Sequence, residues 1–126
     1  MKDITIDINA GNGELARVAA ALAREQVTLR AGAAVCTGPR FVARFIPSSL
    51  DAARHALDRA GVAFEESEII AVRLEARPGE LVELVGKLAA GGVGLRALYL
   101  TAATGRQLEI AVAPTNIARA VRALRA

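Results

Sequence analysis

Few side chains in this chain of 126 residues are equipped for bond-making chemistry. His55 is its one histidine and Cys36 its one cysteine. An intrachain disulfide is therefore excluded, one His and one Cys are too few for a typical zinc site, and His55, in a predicted helix away from any cluster of ligands, is not expected to pair with Cys36 as a nucleophile. Ser48 and Ser49 follow Pro47 and read as helix caps rather than nucleophiles. The residues that do stand out come twice. Gly-Glu-Leu occurs at 13–15 and at 79–81, and Leu-Arg-Ala at 29–31 and at 95–97. Between residues 13–31 and 79–97, nine of nineteen positions are identical. A glycine ahead of a helix suits a non-covalent chemistry. The first N–H groups of a helix lack intrahelical partners and carry a partial positive charge, which a carboxylate can satisfy.

Regular elements are needed to position those turns. Ile4, Ile6 and Ile8 alternate with polar residues, as in a half-buried strand. Residues 9–13 form a turn, and Leu15, Val18, Ala19 and Leu22 make one apolar helix stripe. Residues 27–36 read as extended, with Cys36 a small half-buried filler. A turn at Thr37-Gly38-Pro39 leads to alternation at Phe41, Ala43 and Phe45. A second helix follows Pro47-Ser48-Ser49 with Leu50, Ala53 and Leu57 inward. Gly61 ends it, and Val62 to Glu65 are expected to form a fourth strand.

The order then repeats. Ile70, Val72 and Leu74 match the first strand, and Leu81, Leu84, Val85 and Leu88 the first helix stripe. Gly105 marks a hairpin before Leu108, Ile110 and Val112. Pro114-Thr115-Asn116 opens a last helix through Ile117, Ala120, Val121 and Leu124. Pro78 is expected at a first helical position. The predicted architecture is α+β: two tandem ferredoxin-like βαββαβ units, residues 1–66 and 67–126, each a two-layer sandwich. A full second unit would overrun the chain by six residues, so the second unit is expected to lack its last strand. Its first strand would then be an unpaired edge, open to another segment.

Composition narrows the function classes. Hydrophobic residues make up 53%, enough for a core, yet no stretch reads as a membrane span. The opening MKDITIDI does not look like a signal peptide, and the single cysteine fits a reducing cytoplasm. The net charge of +3 lies wholly in residues 67–126, partly as Arg119, Arg122 and Arg125. With three Phe, one Tyr and no Trp, the stacking rings of a nucleic-acid platform are missing. Gly11-x-Gly13-x-x-Ala16 mimics a dinucleotide fingerprint, but no acid follows at the expected distance and the second copy lacks the pattern.

With the repeat in view, Leu74-Glu75-Ala76-Arg77-Pro78-Gly79-Glu80-Leu81 and then Gly92-Val93-Gly94-Leu95-Arg96-Ala97 resemble the signature of the ACT family. These are small βαββαβ modules that bind amino acids and regulate metabolic enzymes. The likeness is to that family's "D-x-P-G-x-L" loop and "G-V-N-I" strand entry, and it extends over both halves. Ala10 and Ala76 replace the usual polar loop residue, Thr28 and Gly94 the usual Asn, and Asn12 stands where the second half has Pro78.

The resemblance implies ligand sites between modules, the loop from one and the strand from its neighbour. Carried over, the candidates are Asn12, Gly13, Glu14 and Leu15, and Pro78, Gly79, Glu80 and Leu81, with Arg30 and Arg96 in second rank. It implies an allosteric, non-enzymatic module with no cofactor, a small amino-acid-like effector, a homodimer and a metabolic enzyme as partner. Glu14 and Glu80 also suit a first helical turn with no ligand at all. The alternative is a ligand-free interaction and oligomerisation module, favoured by the lost polar loop residues.

Overall fold

The structure is a computed structural model that describes residues 1–11 and 13–126. Eleven elements follow in order: Lys2–Asn9 (β1), Glu14–Arg24 (α1), Leu29–Thr37 (β2), Arg40–Pro47 (β3), Leu50–Arg59 (α2), Glu65–Glu68 (β4), Ile70–Glu75 (β5), Glu80–Ala90 (α3), Leu95–Thr104 (β6), Gln107–Pro114 (β7) and Ile117–Arg125 (α4). The chain divides into two compact units, Lys2–Ser67 and Glu68–Ala126 with Met1. Each is an α+β sandwich with two helices on one face of a sheet.

In the first unit the strand order is β2-β3-β1-β4. The alternation of β1 drives Ile4, Ile6 and Ile8 to one face, where they are fully or almost fully buried. Phe45 and Ala43 lie opposite Ile4 and Ile6 in antiparallel register and join the same core. Val18 and Leu22 of α1, and Ala53, Ala56 and Leu57 of α2, close it from above. The hairpin between β2 and β3 turns at Gly38, whose φ of 57° lies in the left-handed region that a Cβ disfavours.

The fourth strand begins three residues later than the Val62–Glu65 expected. The apolar Val62 and Phe64 belong to the exit of α2. The Val62 N–H donates to the Leu57 carbonyl at 2.9 Å, and both side chains pack on the core. The strand itself is the polar run that follows, so apolar alternation marked the core contact rather than the ladder.

The second unit has the order β5-β7-β6. Ile110 and Val112 of β7, with Leu84 and Leu88 of α3 and Ala120 of α4, form its core. Ile70, Val72, Leu74, Leu98 and Leu124 pack around them half-buried. As the shortened repeat predicts, no fourth strand is present, and β5 pairs with β7 alone among the described residues.

Candidate functional site

The two helices that follow the first strand of each unit begin differently from the other two. Before α2, the Ser49 hydroxyl accepts a hydrogen bond from the Ala52 N–H at 3.2 Å. Before α4, the Asn116 side-chain oxygen accepts from the Arg119 N–H at 3.0 Å. Both satisfy an end group that the helix itself cannot. α1 and α3 instead start at Gly13 (φ 69°) and Gly79 (φ 92°), with no side-chain cap. A Cβ on either glycine would meet nothing within 4 Å. The left-handed turn explains the glycines, and the space in front of them is open.

The neighbouring candidates are placed as follows. Leu15 and Leu81 are exposed at 44% and 50%. Glu14 and Glu80 occupy the first helical turns, but each carboxylate reaches back five residues. Glu14 accepts from the Asn9 side-chain amide at 3.2 Å, and Glu80 from the Glu75 N–H at 3.3 Å, with Arg77 at 3.6 Å. Both acids therefore brace the end of the preceding strand. Pro78 precedes the cap residue Gly79 and is not the first helical residue, because the left-handed glycine takes the turn and Glu80 starts the helix. Asn12 lies outside the described residues.

A shallow cavity of about 270 Å³ adjoins the start of α1. Asn9, Gly13, Glu14 and Leu15 line it from the loop, and Cys36 and Phe41 from the β2–β3 hairpin. Cys36 is exposed rather than half-buried, since β2 is an edge strand and position 36 is at the hairpin tip. Its thiol donates to the Gly38 carbonyl at 3.4 Å. Sequence reasoning missed Phe41 and Cys36 as neighbours of Gly13. The signal was there: in a split βαβ unit the first loop and the β2–β3 hairpin lie at one end of the sheet.

Arg30 and Arg96 are exposed but are not brought to these loops within their own units. Leu29, beside Arg30, pairs with Pro47 at one end of the sheet, and Cys36 pairs with Phe41 at the other. Six residues of strand separate Arg30 from Cys36, about 20 Å. Arg96 is placed likewise. Leu95 pairs with Pro114, whereas Thr104 pairs with Gln107 beside the loop in which the Ala76 N–H meets the Arg106 carbonyl.

Charge elsewhere serves the fold. Arg54 donates through Nε and Nη2 to both carboxylate oxygens of Glu66 at 2.6 Å, joining α2 to β4. These bonds outweigh partial desolvation and hold the Glu66 carboxyl below its ordinary range. His55 is exposed and sits 3.8 Å from Glu25. No group of three His, Cys, Asp or Glu among the described residues could hold a metal ion. No helix among them is long and apolar enough to cross a membrane.

No protein-family profile matches the chain, and no curated protein matches it significantly. Solved structures do. A crystal structure of a Bacteroides thetaiotaomicron protein superimposes with a TM-score of 0.87 at 25% identity, covering 98% of this chain and 85% of that one. The ligand-free regulatory subunit of aspartate kinase from Thermus thermophilus gives 0.69 at 18% identity, covering 98% and 89%. The corresponding subunit from Thermus flavus gives 0.66 at 20%, covering 98% and 90%. The likeness runs through both units in one alignment, with the strand and helix order of the split βαβ sandwich repeated along it. The chain thus has the fold of two tandem ferredoxin-like units of the ACT type.

Proposed function

We propose that the chain is a regulatory module that binds a small amino-acid-like effector and passes the binding energy to a partner enzyme or to its own association. The observation that carries this reading is the contrast between helix starts. α2 and α4 are closed by Ser49 and Asn116, while α1 and α3 open on uncapped glycines with free space ahead of them. A carboxylate placed there would take hydrogen bonds from backbone N–H groups and gain from the helix dipole. In the first unit the apolar wall of Leu15 and Phe41 beside Gly13 would receive the effector's side chain. The likeness to regulatory subunits of aspartate kinase supports the same class of role.

Arg30 and Arg96 belong to this reading only if a second unit brings a strand start to a loop. The units proposed are residues 1–66 and 67–126, a homodimer is their simplest assembly, and the setting is cytoplasmic. An effector changes the output only by its differential affinity for two states.

A thermal-shift series with the twenty amino acids tests it. A ligand at one hundred times its dissociation constant adds about 2.7 kcal/mol, a rise of roughly 10 °C. The reading stands if one amino acid gives such a rise and Gly79→Asp or Gly13→Asp removes it. It falls if none moves the midpoint. The ligand-free interaction module would then lead, supported by Leu81, Val82 and Val85, exposed on α3 at 50%, 75% and 40%.

A further inference from the structure

The sheet of the second unit carries two unmatched charges on the face turned away from its helices. Ile70, Val72 and Leu74 pack on the core, so strand alternation turns Ala71, Arg73 and Glu75 to the other face. Glu109 of β7 stands on that face directly opposite Arg73. The Ala76 N–H bonds to the Arg106 carbonyl, and the ladder alternates from there. Arg73 and Glu109 are therefore a non-hydrogen-bonded pair, the arrangement that brings side chains closest. Opposite charges so placed ordinarily attract each other into contact. These two stay apart. Glu109 Oε1 accepts from the Thr101 hydroxyl at 2.7 Å, and Arg73 has no hydrogen-bond or ion-pair partner among the described residues.

One extra residue accounts for the separation. β2 has 9 residues and β6 has 10. Leu29 and Leu95 pair with Pro47 and Pro114 at one end, and Thr37 and Thr104 with Arg40 and Gln107 at the hairpin. The added residue is Thr101, bulged where the register shifts between Leu100 and Ala102. A bulge re-aims side chains, and this one sets a hydroxyl against the Glu109 carboxylate.

The first unit closes the same face on itself. Asp7, which matches Arg73, accepts from Arg40 Nε at 2.8 Å, and Arg40 also donates to the Asn9 side chain at 2.6 Å. Val42, which matches Glu109, carries no charge. In the second unit a hollow of about 270 Å³ lies beside the parted charges, with Ala102 in its lining and Thr104 and Gln107 around it. Arg73 offers a guanidinium fork suited to a carboxylate. Glu109 keeps its Oε2 for an ammonium. A lone anion there would face Glu109, and a lone cation Arg73. A molecule that carries both charges meets neither repulsion. Closing Arg73 onto Glu109 gains little by comparison, because such a pair is partly exposed.

We infer that this face of the second unit binds a short zwitterion, with its carboxylate and ammonium one or two carbons apart. Arg73 holds the carboxylate and Glu109 the ammonium. Thr101 is a positioning residue that keeps Glu109 off Arg73. The site uses neither glycine turn, so it stands or falls apart from the effector reading above.

The probes are glycine and β-alanine, titrated onto the full chain with amide shifts read at Arg73, Ala102 and Glu109, and at Gly13 and Gly79 for comparison. Propionate and propylamine serve as controls that carry one charge each. A zwitterion is expected to move the first three amides saturably, and each control to bind at least about tenfold more weakly. Arg73→Met and Glu109→Gln are each expected to abolish these shifts and to leave any at Gly13 and Gly79 in place. Thr101→Val is expected to let Glu109 close on Arg73, seen as a new shift of the Arg73 Nε–H in the free protein, and to weaken both zwitterions. The inference is overturned if neither zwitterion moves the three amides, if either control binds as tightly, or if the three variants leave the affinity unchanged. Shifts confined to Gly13 and Gly79 would favour the effector reading and overturn this one. Shifts that grow with protein concentration alone would assign the face to a second copy and also overturn it.

Discussion

Arg54 and Glu66 face each other as a two-pronged pair, with both carboxylate oxygens 2.6 Å from guanidinium nitrogens. Asp51 at 3.0 Å and Lys2 at 3.8 Å extend the pair into a small network. The paired carboxylate has a pKa below its unfolded value. Its stabilisation is therefore complete above the ordinary glutamate range, near 4.3, and is lost as pH falls through the lower folded value. Thermal melts from pH 7 to pH 3 are expected to show a steeper acid loss in the parent chain than in Glu66→Gln, with the two midpoints converging at low pH.

A buried pair lies nearby on β1 and β3. Asp3 is wholly buried, and Arg44, 16% exposed, donates to it through Nε at 2.6 Å and Nη2 at 3.2 Å. Replacing Arg44 by Met takes away the countercharge and leaves a carboxylate in the interior. Urea unfolding is expected to show a loss of about 3 kcal/mol, the cost of breaking such a pair from one side.

Gly32 lies against β3. A Cβ there would come 2.5 Å from the Arg44 carbonyl oxygen and 2.8 Å from the Phe45 Cβ. The neighbours are backbone and a core side chain, so neither can yield without moving the strand. Gly32→Ala is expected to cost about 1–3 kcal/mol in urea unfolding.

The helix starts give a paired prediction. Ser49→Ala and Asn116→Ala each remove a cap bond and are expected to lower stability by about 1 kcal/mol. Gly13→Ala and Gly79→Ala meet no clash, but they place a Cβ at φ 69° and 92°. They are expected to cost about 1 kcal/mol by backbone strain, with Asn at the same positions costing less.

Much of this was legible in the residues. Ile4, Ile6 and Ile8 named the face of β1, and Ser49 and Asn116 the helix starts, because strand alternation and cap chemistry are local. The missing edge of the second unit followed from counting the repeat. Two features were not legible, because each depends on residues distant in sequence. Val62 and Phe64 alternate like a strand but pack beneath a helix end. Cys36 looked half-buried until β2 proved to be the sheet edge. Arg30 and Arg96 follow the glycine turns by one helix each, which carries them to the far end of their own sheet. Of the proposed site, the glycine turns were readable and the hairpin wall of Phe41 and Cys36 was not.

The unlike helix starts follow the repeat. Gly13 and Gly79 each begin the first helix of their unit uncapped, and Ser49 and Asn116 each cap the second. Both units thus keep the same division of labour between their two helices, one left open at its start and one sealed.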